Sequence, residues 1–232
     1  MIRAIIFDFN GVLIDDEHLH FELFRDVVAT HGVTLTDAMY HETYLGFDDR
    51  RCFEEVLRDA GKPASSETLD ALIAQKATLY QERAAGGLRI FPGAAESIAS
   101  LADRWPVAIN SGALRPEIVL ALGQMGVLDR ISAIVSAEDT KFCKPDPEGY
   151  ELALDALRSA HGDDIEAGHC LVIEDSLAGI QAGKGAGMWV VGVSNTYGEP
   201  ELRNAGADAV ITGLETFRPE SIRSLFFPEV TP

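Results

Sequence analysis

Six short runs of apolar, β-favouring residues punctuate the chain, and stretches with helical periodicity separate most of them. They are Arg3 to Asp8, Val107 to Asn110, Ala133 to Ser136, Cys170 to Glu174, Trp189 to Val193 and Ala209 to Ile211. Runs so short and so uniformly apolar do not alternate between a wet and a dry face, and the first, RAIIFD, suits a central parallel strand buried on both sides. Pro92-Gly93 precedes a helical pattern over Ala94 to Arg104, and Pro116 opens another over Glu117 to Met125. Pro147 opens a third over Glu148 to Ala160, with Asp146 as its expected N-cap. Strand alternating with helix predicts an α/β fold: a doubly wound parallel sheet, Rossmann-like, with helices on both faces.

The interval from about Asp15 to Gly87 breaks the alternation. Four stretches, HLHFELFRDVVATHG, DAMYHETYLG, DRRCFEEVLRDAGK and SETLDALIAQKATLYQERAAGG, carry apolar residues at three- and four-residue intervals and contain no convincing strand. The economical organisation is an α/β core from residues 1–14 and 88–232 with an all-helical domain, 15–87, inserted after the first strand. The closing FFPEVTP reads as a frayed terminus.

Composition excludes several classes. With 19 basic against 37 acidic side chains the net charge is −18, which opposes nonspecific attraction to nucleic acid or an anionic membrane. No stretch approaches the roughly 18 apolar residues of a membrane span, and Asp8 interrupts the first apolar run too early for a secretory signal. A cytoplasmic location is the default expectation. Cys52, Cys143 and Cys170 stand far apart without paired spacing, so they read as packing residues rather than disulfide or zinc partners. Oligomeric state is not readable.

In an open parallel sheet, ligands bind beyond the carboxyl ends of the strands. The first run ends in Asp8, the second in Asn110-Ser111-Gly112 and the fourth in Glu174-Asp175, while Lys144-Pro145-Asp146-Pro147 follows the third. The segments FDFNGVLIDDE, INSG, KPDP and IEDSLAGIQAGKGAG, in this order, resemble the four motifs of haloacid dehalogenase-like hydrolases. The resemblance spans nearly the whole chain. The helical insert is similar to the cap of the branch that includes β-phosphoglucomutase and many sugar-phosphate phosphatases.

The resemblance implies a phosphotransferase or phosphatase acting on a small phosphorylated metabolite through an aspartyl-phosphate. Phosphoryl transfer from a dianion to a carboxylate suffers charge repulsion, so an Asp8 nucleophile needs cations on both reactants. The family pattern implies Mg2+ held by the Asp8 carboxylate, the Asn10 backbone carbonyl and the Asp175 carboxylate, with Glu174 either a further ligand or a support behind the ligands. Lys144 would supply the second positive charge, and Ser111 and the Gly112 N–H would hydrogen-bond the transferring group. Ser111 also reads as a helix N-cap, a compatible role because helix N-termini bind anions. His20 occupies a position that faces substrate in relatives, whereas His18 is equally a solvated surface residue. The Gly46 to Arg51 segment resembles a substrate-contacting loop, although Asp49 stands where a β-phosphoglucomutase carries a basic residue. The glycine-rich stretch from Gly179 to Gly187 lacks the spacing of a nucleotide loop and reads as a helix packed closely on the sheet.

One departure bears on activity. Phosphatases and mutases of this kind carry an aspartate two residues after the nucleophile as acid and base; here it is Asn10, whose amide neither gives nor takes a proton near neutrality. Asp16 stands where Ser or Thr is usual, and the two departures together favour natural variation over a single introduced change. Asp16 either orients the Asn10 amide, the favoured role, or replaces the missing acid. The leading expectation is a phosphatase of small phosphomonoesters; the alternatives are a β-phosphoglucomutase-like mutase and a catalytically weakened protein that binds a phosphorylated metabolite.

Overall fold

The computed structural model describes residues 1–226, so the expected frayed terminus lies, from residue 227 on, outside the described residues. Six parallel strands form one sheet in the order β3-β2-β1-β4-β5-β6. They are β1 (Ala4–Phe7), β2 (Val107–Asn110), β3 (Ala133–Val135), β4 (Cys170–Glu174), β5 (Trp189–Val193) and β6 (Ala209–Ile211). The core helices are α5 (Ala94–Ala102), α6 (Arg115–Gln124), α7 (Glu148–His161), α8 (Leu177–Gly185), α9 (Glu199–Ala205) and α10 (Pro219–Phe226). The doubly wound expectation therefore holds.

Strand pleating distributes each central run to two cores. Ile5 and Phe7 of β1, with Leu171 and Ile173 of β4, pack beside α5, α6 and α10. Ala4 and Ile6, with Cys170 and Val172, pack beside α7, α8 and α9. Alternate side chains point to opposite faces, and a strand covered on both must be apolar throughout. Partial burial of Ala133 and Ile134 in β3 and of Val210 and Ile211 in β6 follows from their places at the sheet's edges.

Between Glu17 and Ala84 the described elements are helical: α1 (Glu17–Ala29), α2 (Asp37–Met39), a π-helical turn (Tyr40–Tyr44), α3 (Asp49–Asp59) and α4 (Ser66–Ala84). They enclose a core of their own around Phe24, Phe53, Val56 and Leu72. The Asp37 to Gly46 stretch is not the regular helix its periodicity suggests. One α-turn widens into the π-turn, with Leu45 N–H donating to Tyr40 O, so that Tyr40 and Tyr44 are both buried and reach Glu17 and Asp59 through their hydroxyls.

Three smaller expectations need correction. Cys52 and Cys170 are buried, but Cys143 is exposed on the loop between β3 and α7. The N-cap of α7 is Pro147 rather than Asp146, which instead accepts Glu148 N–H at 3.0 Å. Ser111 is not a helix N-cap, because α6 begins four residues later, behind Leu114.

Candidate active site

Strand register assembles the site. Phe7 is paired with Ile109 on one side and Ile173 on the other, so the next row holds Asp8, Asn110 and Glu174 together. Strand order reverses between β1 and β4, since β2 and β3 lie to one side of β1 and β5 and β6 lie beyond β4. This is the crevice where open α/β sheets bind ligands. A cavity of about 910 Å³ opens there, lined from the sheet side by Asp8, Asn10, Ser111, Gly112, Lys144 and Asp175, and from the helical insert by His20, Gly46, Asp48 and Asp49 among others. Glu174 lies behind this lining, fully buried.

Lys144 stands between two carboxylates, its Nζ 2.5 Å from Asp8 Oδ1 and 2.6 Å from Glu174 Oε1. Tyr150 OH also donates to Glu174 Oε1, at 3.1 Å, and Ser176 occupies Glu174 Oε2 through its N–H and its hydroxyl, at 2.9 and 3.0 Å. Asp175 accepts from the Thr196 hydroxyl, and Asn195 Nδ2 donates to the Gly11 carbonyl at 2.7 Å, bracing the turn after Asp8. Two close approaches need glycine: a Cβ on Gly11, whose φ is +79°, would lie 2.1 Å from Asp175 Oδ2, and one on Gly179 would lie 1.6 Å from Glu174 Oε1. The glycine-rich stretch therefore enters helix α8 against the acidic residues, as expected, and is no nucleotide loop.

Charge in the crevice is unbalanced. Asp8, Glu174 and Asp175 offer carboxylate oxygens all within 4.8 Å of one another, around a single ammonium. Burial pushes the Asp8 carboxyl up to about 7, with Glu174 adding to the rise and Lys144 opposing it. Asp175 is raised well above the usual carboxylate range by burial, then by Glu174 and Asp8, with the Thr196 hydrogen bond opposing. Lys144 stays protonated: burial works against its charge, but Asp8 and Glu174 outweigh it. A hard divalent cation complements such an oxygen cluster, so these residues fit one.

Asn10 lies across the mouth of the crevice. Its Nδ2 donates to Asp16 Oδ1 at 2.9 Å and stands 3.2 Å from His20 Nε2, while Ser111 Oγ is 3.4 Å from its Oδ1. Asp16 Oδ2 accepts from Tyr80 OH at 2.7 Å and lies 3.2 Å from His20 Nε2. Burial pushes Asp16 upward, but His20 and the hydrogen bonds from Asn10 and Tyr80 hold it below its ordinary value. Burial and Lys76 pull His20 down; Asp16 outweighs them and leaves it raised. His18, by contrast, is mostly exposed beside Glu22.

Sequence reasoning missed Tyr150, Tyr80, Lys76, Asn195 and Thr196. The last two follow β5 as Asp8 follows β1, so the same rule of polar residues past a strand end would have found them. Tyr150 and Tyr80 lie within helices and look like ordinary core aromatics until the fold brings them to Glu174 and Asp16.

A family model described as haloacid dehalogenase-like hydrolase matches residues 2–187. Validoxylamine A 7'-phosphate phosphatase of Streptomyces hygroscopicus subsp. limoneus is 29% identical over 219 residues, covering 94% of this chain and 97% of that protein. The phosphorylated carbohydrates phosphatase of Thermotoga maritima is 28% identical, covering 90% of this chain and 94% of its own length. Among solved structures, β-phosphoglucomutase from Clostridium difficile superposes with a TM-score of 0.82 at 24% identity over 97% of both chains, a likeness of fold. With four ordered motifs converging on one crevice and a family match over most of its length, the chain belongs to the haloacid dehalogenase-like hydrolases.

Proposed function

We propose that the protein is a magnesium-dependent phosphatase of small phosphomonoesters of the sugar-phosphate kind, working through an aspartyl-phosphate on Asp8. The observation that carries this reading is the Asp8-Lys144-Glu174 arrangement at the strand-order switch, with Asp175 alongside. Relatives across nearly the full length are named as phosphatases of phosphorylated carbohydrates and of a validoxylamine phosphate, which supports the substrate class.

Asp8 attacks phosphorus as the ester P–O bond breaks and the substrate oxygen leaves, and water then cleaves the aspartyl-phosphate to inorganic phosphate and free Asp8, while Lys144 neutralises charge on both the carboxylate and the incoming phosphoryl oxygens. Ser111 and Gly112 line the cavity where the transferring group would be held. Asp8, Asp175 and the Asn10 carbonyl would hold Mg2+, which when bound supplies the remaining positive charge that phosphoryl transfer requires. Glu174 fits a positioning role better than a ligand role, because Lys144, Tyr150 and Ser176 already occupy both of its oxygens. Asn10 leaves the leaving oxygen without a positioned proton donor, so alkyl phosphates should turn over slowly and aryl phosphates, whose leaving groups need little protonation, should suffer less.

The experiment is phosphate release from a panel of hexose and pentose phosphates and p-nitrophenyl phosphate, with Mg2+ and with EDTA. Magnesium-dependent release from at least one sugar phosphate is expected. Isomerisation of a sugar 1-phosphate without net release would make the protein a mutase instead, and stoichiometric binding without turnover would make it a binding protein.

A further inference from the structure

Asn10, Asp16 and His20 saturate one another. Asn10 Nδ2 donates to Asp16 Oδ1 and stands 3.2 Å from His20 Nε2, while Asp16 Oδ2 is taken by Tyr80 OH at 2.7 Å and by His20 Nε2 at 3.2 Å. Beside Asp8, Lys144, Tyr150 and Ser176 hold both oxygens of Glu174, and the Thr196 hydroxyl holds Asp175. The carboxylates clustered with Asp8, and the carboxylate and imidazole that touch Asn10, are therefore all committed to neighbours. The insert is also seated on the loop that would hold the phosphoryl group. Asp48 Cβ lies 3.7 Å from where a Cβ on Gly112 would stand, the Cys143 thiol is hydrogen-bonded to Asp48, and Asp8, Ser111 and Asp175 are all buried.

Transfer to Asp8 and release from it need different help. In the first step an Asp8 oxygen bonds to phosphorus while the bond from phosphorus to the leaving oxygen breaks. An alkoxide must take up a proton as it leaves, whereas a carboxylate leaves as a stable anion and needs none. In the second step water bonds to phosphorus, the bond to Asp8 breaks, and the proton of the water passes to a base or, failing one, to the departing phosphate. The choice of donor can relieve the first step of its need for an acid. Nothing relieves the second, because its acceptor is always water, and lack of a base slows such a step by about 10²–10⁴.

We infer that the protein takes a phosphoryl group onto Asp8 from acyl phosphates, the mixed anhydrides of a carboxylic acid with phosphate, and retains it, so that the aspartyl-phosphate form is its resting state wherever such a donor is present. The free carboxylate of the donor is the other product. The inference rests on the phosphatase reading and adds to it a donor class and a slow second step. Acyl phosphates outrank aryl phosphates as donors, and both outrank alkyl phosphates, in the order of leaving-group acidity.

The test is the intact-protein mass after incubation with acetyl phosphate and Mg2+, followed through its decay once the donor is removed, alongside stopped-flow hydrolysis of p-nitrophenyl phosphate. The expected results are a gain of a single phosphoryl group, absent in Asp8→Asn, and a stoichiometric burst of p-nitrophenolate before a slower steady rate. Glucose 6-phosphate should load the protein at least about 10²-fold more slowly than acetyl phosphate, and the decay should quicken at least about tenfold in Asn10→Asp. Linear p-nitrophenyl phosphate hydrolysis with no mass gain overturns the inference and leaves the phosphatase reading standing. So does a mass gain that persists in Asp8→Asn, equal loading by the two donors, or an unchanged decay in folded Asn10→Asp. Neither phosphorylation nor hydrolysis with any donor overturns both. Should Asn10→Asp not fold, the mass gain and the burst in the unmodified protein decide alone.

Discussion

The Asn10 side-chain amide donates to Asp16 Oδ1 at 2.9 Å, so the residue that replaces the usual acid is held by the residue that replaces the usual Ser or Thr. Asp16 has no oxygen to spare for a leaving group. Tyr80 takes Oδ2 at 2.7 Å, His20 lies 3.2 Å from it, and the side chain is nearly inaccessible. This geometry favours the orienting role for Asp16 and makes the two departures one structural unit.

Asn10→Asp should raise sugar-phosphate turnover by at least about tenfold, a cautious fraction of what a general acid and base contributes. The new carboxyl would face Asp16, and like charges raise a carboxyl's proton affinity, which suits a donor near neutral pH. Asp16→Ala should lower Tm, because it strands Tyr80 and His20, while changing p-nitrophenyl phosphate turnover by only a few-fold. Collapse of turnover in Asp16→Ala with no gain in Asn10→Asp would make Asp16 the acid.

Lys144→Met should reduce kcat by about 10²–10³, the loss typical of removing one charge-stabilising donor. It should also destabilise the protein by about 3–5 kcal/mol in the absence of divalent cation, because the partners of a buried ion pair are left uncompensated. Denaturant unfolding with EDTA and with Mg2+ checks this, and Mg2+ should restore part of the loss. Equal stability in both media would show that Lys144 does not balance the carboxylates.

The sheet was legible because parallel strands covered on both faces must be apolar runs, and their ends mark the crevice: Asp8, Ser111 and Glu174-Asp175 needed only that rule and the order of the motifs. What the chain hid was contact between distant segments. Nothing local distinguishes Tyr150 or Tyr80 from a core aromatic. Nor does local sequence say that both oxygens of Glu174 are taken by Lys144, Tyr150 and Ser176. The π-turn at Tyr40–Tyr44 was hidden for a related reason, since tertiary burial of two tyrosines overrides a pattern equally compatible with regular helix.

Asp175→Ala should weaken Mg2+ binding by at least about tenfold, in line with the loss of a direct carboxylate ligand. Isothermal calorimetry on the folded variant measures it. Glu174→Gln should weaken binding less, because Lys144, Tyr150 and Ser176 already occupy both Glu174 oxygens, and unchanged affinity in Asp175→Ala would remove Asp175 from the metal site.

Glu117 on α6 faces Lys76 and His20 across the core–insert contact, and its Oε1 is buried without a partner. Burial raises its carboxyl above the ordinary 4.5, outweighing Lys76 and His20. Folding therefore favours the protonated form, so its contribution is present below the unfolded value and is lost as pH rises through the folded one. Glu117→Gln should consequently raise Tm more at pH 8 than at pH 4.5, which thermal unfolding at the two pH values checks. A larger gain at the acid value would reverse the assignment.

Whether Asp8 carries the phosphoryl group is decided by p-nitrophenyl phosphate hydrolysis in the unmodified protein and in Asp8→Asn, each with Mg2+ and with EDTA. Mg2+-dependent release is expected in the unmodified protein, with a fall on the order of 10³ or more in Asp8→Asn, as for other nucleophile removals. Comparable Mg2+-dependent rates in the two proteins would contradict it.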